Sequence, residues 1–238
     1  RVHGAGTSTI TVEGVPRLHG AAFRIMPDRM EAGTLALAAM ITGGSVRMKG
    51  PVAQYLGALT AKMQQAGAEV TVTPQLYEIS APRPLSATDI QTYPYPGFPT
   101  DLQAPFTTVM TQAQGNSSVH ETMYDGRLKY AEELAKMGAH IDVSGSGRTA
   151  MVHGPTPLCA ARVCALDIRS GAALVLAALA AEGETQIDNV LYIDRGYQDI
   201  DAKLQRLGAK VSRVAEQTHT CPTADCGEPV EWGLAPYA

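Results

Sequence analysis

One stretch of sequence occurs three times and decides the fold: Met63-Gln-Gln-Ala-Gly-Ala-Glu-Val70, Leu134-Ala-Lys-Met-Gly-Ala-His-Ile141 and Leu204-Gln-Arg-Leu-Gly-Ala-Lys-Val211. A Gly-Ala pair stands at the centre of each copy, and successive copies are 71 and 70 residues apart. Similarity at a fixed spacing is typical of repeated structural units. We therefore expect three copies of one supersecondary unit.

Each copy reads as the end of an amphipathic helix followed by a strand. Apolar residues stand one, four and eight positions before each glycine, which is the spacing of one helical face. The glycine suits the left-handed conformation that often ends a helix, and the Val or Ile two residues later favours a strand. The apolar positions are Leu59, Met63 and Ala66, then Tyr130, Leu134 and Met137, then Ile200, Leu204 and Leu207.

A second, more apolar helix is expected ahead of each copy, over residues 28–42, 101–114 and 167–182. Each of these helices begins at an aspartate. Strands between and after the helices give the order strand, helix, strand, helix, hairpin, three times over, which indicates an α/β (α+β) fold in layers. The third hairpin should begin at residues 211–214, but residues 215–238 are polar, contain three prolines and fit no repeat.

The composition indicates a globular protein with one large domain or two small ones. The chain has 238 residues, 45% hydrophobic and 18% charged, and a formal net charge of -4. That charge disfavours broad electrostatic binding of nucleic acid or of anionic membranes. The longest apolar stretch, Gly171 to Ala181, is shorter than the roughly 20 residues of a membrane-spanning helix. We therefore expect a cytoplasmic protein with neither nucleic acid nor membrane as a partner.

Two groups of charged residues are candidates for chemistry, and each has a structural alternative. Asp28, Asp101 and Asp167 occupy the same place in successive units, where aspartate is also a favoured helix N-cap. Arginines that converge on one end of the domain can bind a small, multiply charged anion, but surface ion pairs explain them equally well. These arginines are Arg29, Arg127, Arg169 and Arg195. Cys221, Cys226 and His219 offer too few ligands for a structural zinc site, so no metal is expected.

Five motifs follow one another along the chain: Pro27-Asp-Arg-Met-Glu-Ala-Gly33, Tyr95-Pro-Gly-Phe-Pro-Thr-Asp-Leu-Gln103, Glu121-Thr-Met-Tyr-Asp-Gly-Arg127, Asp167-Ile-Arg-Ser-Gly-Ala-Ala173 and Tyr192-Ile-Asp-Arg-Gly-Tyr197. In this order they resemble those of the UDP-N-acetylglucosamine 1-carboxyvinyltransferase family, over roughly residues 1–214. The resemblance implies an inside-out α/β barrel of three βαβαββ repeats, one of the two domains of an enolpyruvyl transferase. It also implies transfer of the enolpyruvyl group of phosphoenolpyruvate to the 3-hydroxyl of UDP-N-acetylglucosamine, with release of phosphate and without a metal or organic cofactor.

The resemblance also suggests roles for individual residues. Asp101 matches the family's aspartate that binds the sugar hydroxyl and acts as general base, and Asp167 matches a second active-site aspartate that relays a proton. Met123 matches a residue that touches the sugar nucleotide through its backbone. The arginines near phosphoenolpyruvate, which hold its carboxylate and phosphate and stabilise the tetrahedral intermediate, match Arg127, Arg169 and Arg195.

The family's N-terminal half, with its Lys-Asn pair, its proton-donor loop and most of the uridine contacts, has no counterpart in the sequence. We expect residues 1–26 to be an orphaned segment of a missing N-terminal domain, residues 27–214 to be the transferase domain, and residues 215–238 to be an unrelated tail. The chain alone is expected to be inactive, because closure of two domains forms the site. Another enolpyruvyl transferase and a truncated, non-catalytic binding or regulatory protein remain the alternatives.

Overall fold

A computed structural model describes residues 1–5 and 7–214 of the chain. Its regular elements form three consecutive units, residues 29–80, 85–154 and 162–206, which we call the first, second and third unit. Within that part of the chain, no helix is both long and apolar enough to span a lipid bilayer. Two sequence predictions lie outside the described residues: the tail, residues 215–238, and the cysteine pair considered as zinc ligands.

The segment ahead of the first unit packs against none of the core. Strands β1 (Val2–His3) and β2 (Thr11–Val12) form a short antiparallel pair, with Val2 opposite Val12. Every described residue from 1 to 26 is solvent-exposed, and Phe23 is 88% exposed. The assignment of this segment to a missing domain, and the domain bounds 27–214, stay predictions.

The first unit consists of two helices and a three-stranded sheet. Helix α1 (Arg29–Thr42) leads into β3 (Ser45–Lys49), and α2 (Gly57–Gln65) leads into the hairpin of β4 (Glu69–Thr73) and β5 (Leu76–Ser80). Strand β5 lies between β3 and β4 and is antiparallel to both. The opening strand expected ahead of α1 is wrong for the described structure, because residues 13–28 form none.

The second unit contains every expected element. Strands β6 (Leu85–Ser86) and β7 (Ile90–Gln91) run parallel to β8 (Ala113–His120), which pairs antiparallel with β10 of the hairpin β9 (His140–Val143) and β10 (Thr149–Gly154). Its helices are α3 (Gln103–Met110) and α4 (Tyr130–Lys136). The expected helix over 101–114 is too long at both ends, because a 3-10 turn (Thr100–Leu102) precedes α3 and β8 begins at Ala113.

The third unit lacks a hairpin within the described residues. Strands β11 (Arg162–Cys164) and β12 (Gln186–Asp188) are parallel, and helix α5 (Ile168–Ala180) lies between them in the chain. Helices α6 (Leu191–Asp194) and α7 (Ile200–Arg206) follow. Residues 211–214, where a third hairpin should begin, are not in a strand.

The helices of the core lie inside the sheets. Helices α1, α3 and α5, one from each unit, pack against one another, and all eight residues of α3 are buried. Close approach is possible because small residues face neighbours: a Cβ on Gly33 of α1 would lie 2.7 Å from Cδ1 of Leu102, the residue directly before α3. The predicted α/β fold with helices inside is confirmed.

The three repeated glycines end their helices as predicted. Gly67, Gly138 and Gly208 have φ angles of +101°, +92° and +101°, which is the left-handed region that favours glycine. Of the nine apolar positions predicted to share the helical face, eight are buried. The exception is Leu207, which is 54% exposed.

Candidate active site

The aspartates that begin the central helices do not share one structural role. Asp28 and Asp167 are N-caps: Asp28 Oδ1 accepts from Met30 N (2.7 Å) and Asp167 Oδ1 from Ser170 N (2.7 Å). Asp101 caps nothing, because it lies within the 3-10 turn and α3 has no side-chain cap. The N-cap interpretation therefore explains two of the three aspartates and leaves Asp101 without it.

Asp101 forms an ion pair with a predicted substrate-binding arginine. Arg127 Nη1 donates to Asp101 Oδ1 (3.2 Å) and to Thr100 Oγ1 (2.9 Å), and its guanidinium lies 4.0 Å from the centre of the Tyr124 ring. The Arg127 side chain is 19% exposed, so packing and hydrogen bonds fix it more firmly than an arginine on the open surface. Asp101 Oδ2 accepts no hydrogen bond from the described residues and can therefore accept a proton from a ligand.

Glu121 is a residue of this site that the sequence analysis left without a role. It is fully buried, and its carboxylate accepts four hydrogen bonds. Oε1 accepts from Thr92 Oγ1 (2.9 Å), Met123 N (2.8 Å) and Tyr124 N (3.3 Å), while Oε2 accepts from Thr100 Oγ1 (2.8 Å). These bonds offset the cost of burying a charge. In the sequence, the one signal for such a role is the position of this acidic residue, directly after β8 and at the start of the motif Glu121–Arg127.

An open pocket brings two of the predicted residues together. Asp101 and Met123 line it together with Arg29, whose Cζ lies 5.9 Å from the centre of the Tyr95 ring. The remaining lining residues are Tyr93, Pro94, Gly97, Pro99 and Thr100. A positive charge, a carboxylate and tyrosine rings can together bind an anionic ligand that carries a hydroxyl group.

Asp167 and Arg169 form a second pair, at the amino end of α5. Arg169 Nη2 donates to Asp167 Oδ2, and the Arg169 side chain is only 15% exposed. The buried hydroxyl of Tyr130 links this pair to the Asp101 group: burial raises the pKa of Tyr130, the positive charge of Arg169 opposes that rise and the charge of Glu121 adds to it. The two groups thus lie close enough to act electrostatically on one hydroxyl.

A second buried tyrosine, Tyr197 of the last motif, is bonded to α1. The hydroxyls of Tyr197 and Thr34 lie 2.9 Å apart, and burial raises the pKa of Tyr197 to about 12. The negative charges of Asp28 and Asp101 contribute to that rise. The aspartates at the starts of the first two units' helices therefore both act electrostatically on this hydroxyl.

Arg195 stands apart from the other predicted residues. It is exposed where α6 ends, and none of the described side chains hydrogen-bonds to it or forms an ion pair with it. The structure thus joins Asp101 with Arg127, places Met123 in the same pocket, pairs Asp167 with Arg169, and leaves Arg195 outside both groups. The pocket offers one carboxylate and no cluster of metal ligands among the described residues.

Comparison with known proteins shows the family of the chain. The sequence profile of the EPSP synthase (3-phosphoshikimate 1-carboxyvinyltransferase) family matches residues 1–217. The chain belongs to the EPSP synthase family. This finding confirms the predicted relation to enolpyruvyl transferases.

Named members of the EPSP synthase family show a more specific relationship. The chain is 45% identical over 216 residues to a UDP-N-acetylglucosamine 1-carboxyvinyltransferase of Koribacter versatilis, covering 91% of this chain and 49% of the relative. A Nostoc protein of the same name is 46% identical over 217 residues, covering 91% and 48%. The chain therefore spans about half the length of the curated relatives it matches.

Solved structures of the family share the fold. The enolpyruvyl transferase NikO from Streptomyces tendae has a TM-score of 0.71 and 27% identity, covering 78% of this chain and 44% of its own. EPSP synthase from Acinetobacter baumannii has a TM-score of 0.52 and 17% identity, covering 69% and 40%, which supports the fold alone.

Proposed function

We propose that this chain supplies the C-terminal half of the active site of a UDP-N-acetylglucosamine 1-carboxyvinyltransferase. The reaction transfers the enolpyruvyl group of phosphoenolpyruvate to the 3-hydroxyl of UDP-N-acetylglucosamine and releases phosphate. It is the first committed step of peptidoglycan precursor synthesis, in the cytoplasm. The observation that carries the proposal is the Asp101–Arg127 pair beside an open pocket, in a chain 45% identical to enzymes of that name.

The pair suits the first chemical step. As the 3-hydroxyl oxygen attacks C2 of phosphoenolpyruvate, Asp101 Oδ2 accepts the hydroxyl proton, while Arg127 holds Oδ1 and fixes the carboxylate. A proton donor of the N-terminal half adds a proton to C3, which gives a tetrahedral intermediate. The C–O bond to phosphate then breaks and C3 loses a proton, which restores the C2–C3 double bond in the enolpyruvyl group that the sugar now carries.

The arginines serve as anion ligands. Arg127 and Arg169 are held by aspartates and are largely buried, so their guanidinium groups need little reorganisation to meet a carboxylate or phosphate. Arg195 is exposed and has no described partner, so it is free to turn towards the phosphate when the domains close. Asp167 relays a proton, and the Met123 backbone touches the sugar nucleotide.

The test is phosphate release from phosphoenolpyruvate and UDP-N-acetylglucosamine, measured for the chain alone and after addition of the N-terminal half of a close relative. We expect turnover only in the second case, because the proton donor and most uridine contacts belong to that half. Turnover by the chain alone contradicts the proposed division of the site.

The similarity to NikO supports a second candidate function, transfer to a different hydroxyl acceptor, because NikO is an enolpyruvyl transferase with the same fold. The lower identity of 27%, against 45% for the Koribacter protein, favours UDP-N-acetylglucosamine. Phosphate release by the reassembled enzyme with a different hydroxyl acceptor, and not with this sugar nucleotide, would reverse that preference. A chain that binds phosphoenolpyruvate yet never turns over with any N-terminal half favours the non-catalytic alternative.

A further inference from the structure

Three side chains with metal-binding atoms meet on the exposed face of the second unit's sheet. His140 and Asp142 are two residues apart on β9 and therefore point to the same face, and His153 of β10 stands directly opposite His140. One ligand atom from each lies within 4.8 Å of the others, the one such group of three among the described residues. We propose that this group, the outer-sheet triad, binds a divalent transition-metal ion such as Zn²⁺.

The distances between ligand atoms of the triad are close to those around a zinc ion, so metal binding requires only a small side-chain movement. His153 Nε2 lies 2.8 Å from Asp142 Oδ2, and His140 Nε2 lies 3.9 Å from Asp142 Oδ1. Ligand atoms around a tetrahedral zinc ion, at bond lengths of about 2.0–2.1 Å, are separated by roughly 3.4 Å. The two separations end on different oxygens of Asp142 and lie on either side of that value, and the exposed His140 and Asp142 side chains can turn so that one oxygen and both imidazoles reach a shared ion.

A fourth residue orients one of the imidazoles. His153 Nδ1 lies 3.1 Å from Asn116 Oδ1 on β8, the strand on the other side of β10. A metal-bound histidine commonly donates its other ring N–H to a carbonyl or carboxylate oxygen, which fixes the tautomer. With Nδ1–H donating to Asn116, the Nε2 lone pair faces the Asp142 carboxylate, and the two repel unless a cation lies between them.

His140 supplies a second imidazole directed at the same carboxylate. The His140 ring stacks on the His153 ring, with centroids 4.3 Å apart and planes at 29°, and turns its own Nε2 towards the other carboxylate oxygen. Two imidazoles directed at the two oxygens of one carboxylate are the arrangement that a shared dication stabilises.

The donor set determines which ions should bind. Imidazole nitrogen suits Zn²⁺, Cu²⁺, Ni²⁺ and Co²⁺, whereas Mg²⁺ and Ca²⁺ require mainly oxygen ligands. The site is open to solvent, so water completes the coordination. None of its residues lines the pocket around Asp101, so the site is independent of the proposed reaction.

Calorimetric titration of the whole chain with Zn²⁺ tests the proposal, after accessible thiols have been alkylated so that cysteine cannot compete. We expect one Zn²⁺ per chain, with Mg²⁺ producing no binding heat. His153→Gln and Asp142→Asn should each weaken Zn²⁺ binding at least tenfold, and Asn116→Ala should weaken it about tenfold. The matched control is His120→Gln, on the same sheet but bonded to Thr149 Oγ1, which should leave the affinity unchanged.

Long-range ¹H–¹⁵N spectra of the imidazoles give an independent readout. Zn²⁺ should shift the ring nitrogens of His140 and His153 and leave those of His120 in place. It should also raise the melting temperature of the parent chain, and not that of His153→Gln, because the ion joins β9 to β10. Equal Zn²⁺ affinity in parent and His153→Gln, or shifts confined to other histidines, overturns the proposal.

Discussion

The second and third units begin with the same sequence pattern and end as different structures. At equivalent positions of their last helices, Met137 is fully buried whereas Leu207 is 54% exposed, because β9 and β10 follow one helix and no strand follows the other within the described residues. At equivalent positions of their first helices, Asp167 is an N-cap whereas Asp101 is paired with Arg127. The repeated units therefore share their helices, while residues at equivalent positions differ in burial and in hydrogen bonding.

The largest effect should come from the uncapped aspartate. Asp101→Asn, in the enzyme reassembled with an N-terminal half, should lower kcat for phosphate release by about 10²- to 10⁴-fold, since it removes the proposed general base. Its free energy of unfolding should stay within about 0.5 kcal/mol of the parent value, because no helix depends on it. The control is Asp28→Asn, which keeps an N-cap. Full activity of Asp101→Asn removes Asp101 from the role of base.

Glu121 should matter most for stability in the second unit. Glu121→Ala leaves one buried and three part-buried donors without an acceptor and should lower the free energy of unfolding by about 3 kcal/mol, measured by urea denaturation. Glu121→Gln should lose clearly less, since its amide oxygen can still accept the three bonds now made by Oε1. An equal loss in both variants would show that charge, rather than hydrogen bonding, determines the effect.

The capping difference can be measured directly. Asp167→Ala should destabilise the chain by about 1 kcal/mol, the usual cost of losing an N-cap, whereas Asp101→Ala should change stability by less than about 0.5 kcal/mol. Thermal unfolding of the two variants, with Asp167→Asn as a cap that retains its hydrogen bonds, gives the comparison. Similar losses at both positions contradict the distinction between cap and paired carboxylate.

The smallest effect concerns residues 207–214, directly after α7, where Arg213 forms ion pairs with Asp194 and Asp201. Hydrogen bonds from Arg213 lower the pKa of both Asp194 and Asp201. A lowered folded-state pKa stabilises above the unfolded value of about 3.9 and loses that contribution as the pH falls through the folded value. Below about pH 4, residues 191–214 should therefore lose protection from hydrogen exchange before residues 140–154, which strand pairing holds.

Replacement of the arginine isolates that effect. In Arg213→Gln the acid-dependent loss of protection in residues 191–214 should disappear, because neither aspartate keeps its cation. The exchange of residues 140–154 serves as the internal reference at each pH. Unchanged acid sensitivity in this variant assigns the effect to other carboxylates.

The features predicted correctly are those that depend on residues close together in the chain. Glycine spacing gave the three left-handed helix ends, and the apolar spacing gave eight of nine buried positions. The start of α3 was mispredicted because Thr100 hydrogen-bonds to Glu121 and Arg127, and these tertiary contacts fix a 3-10 turn where an N-cap was expected. No local pattern reports a partner 21 or 27 residues away.

Burial and strand register explain the other omissions. The role of Glu121 follows from its complete burial, which a glutamate in a polar motif does not indicate. The outer-sheet triad joins His140 to His153 through the pairing of β9 with β10, so it appears only once the register is known. The family resemblance gave Asp101 and Arg127 separate roles in one active site, and their ion pair became visible only with the fold.

Glu121 also limits how the pocket can evolve. One carboxylate holds the turn that carries Asp101, through Thr100, and the segment that carries Met123, through its backbone N–H. The pocket wall that would select the acceptor therefore cannot change its position without also moving Asp101, the proposed base. A descendant that accepts a different ligand would be expected to change first the pocket residues that Glu121 does not hold, such as Tyr95.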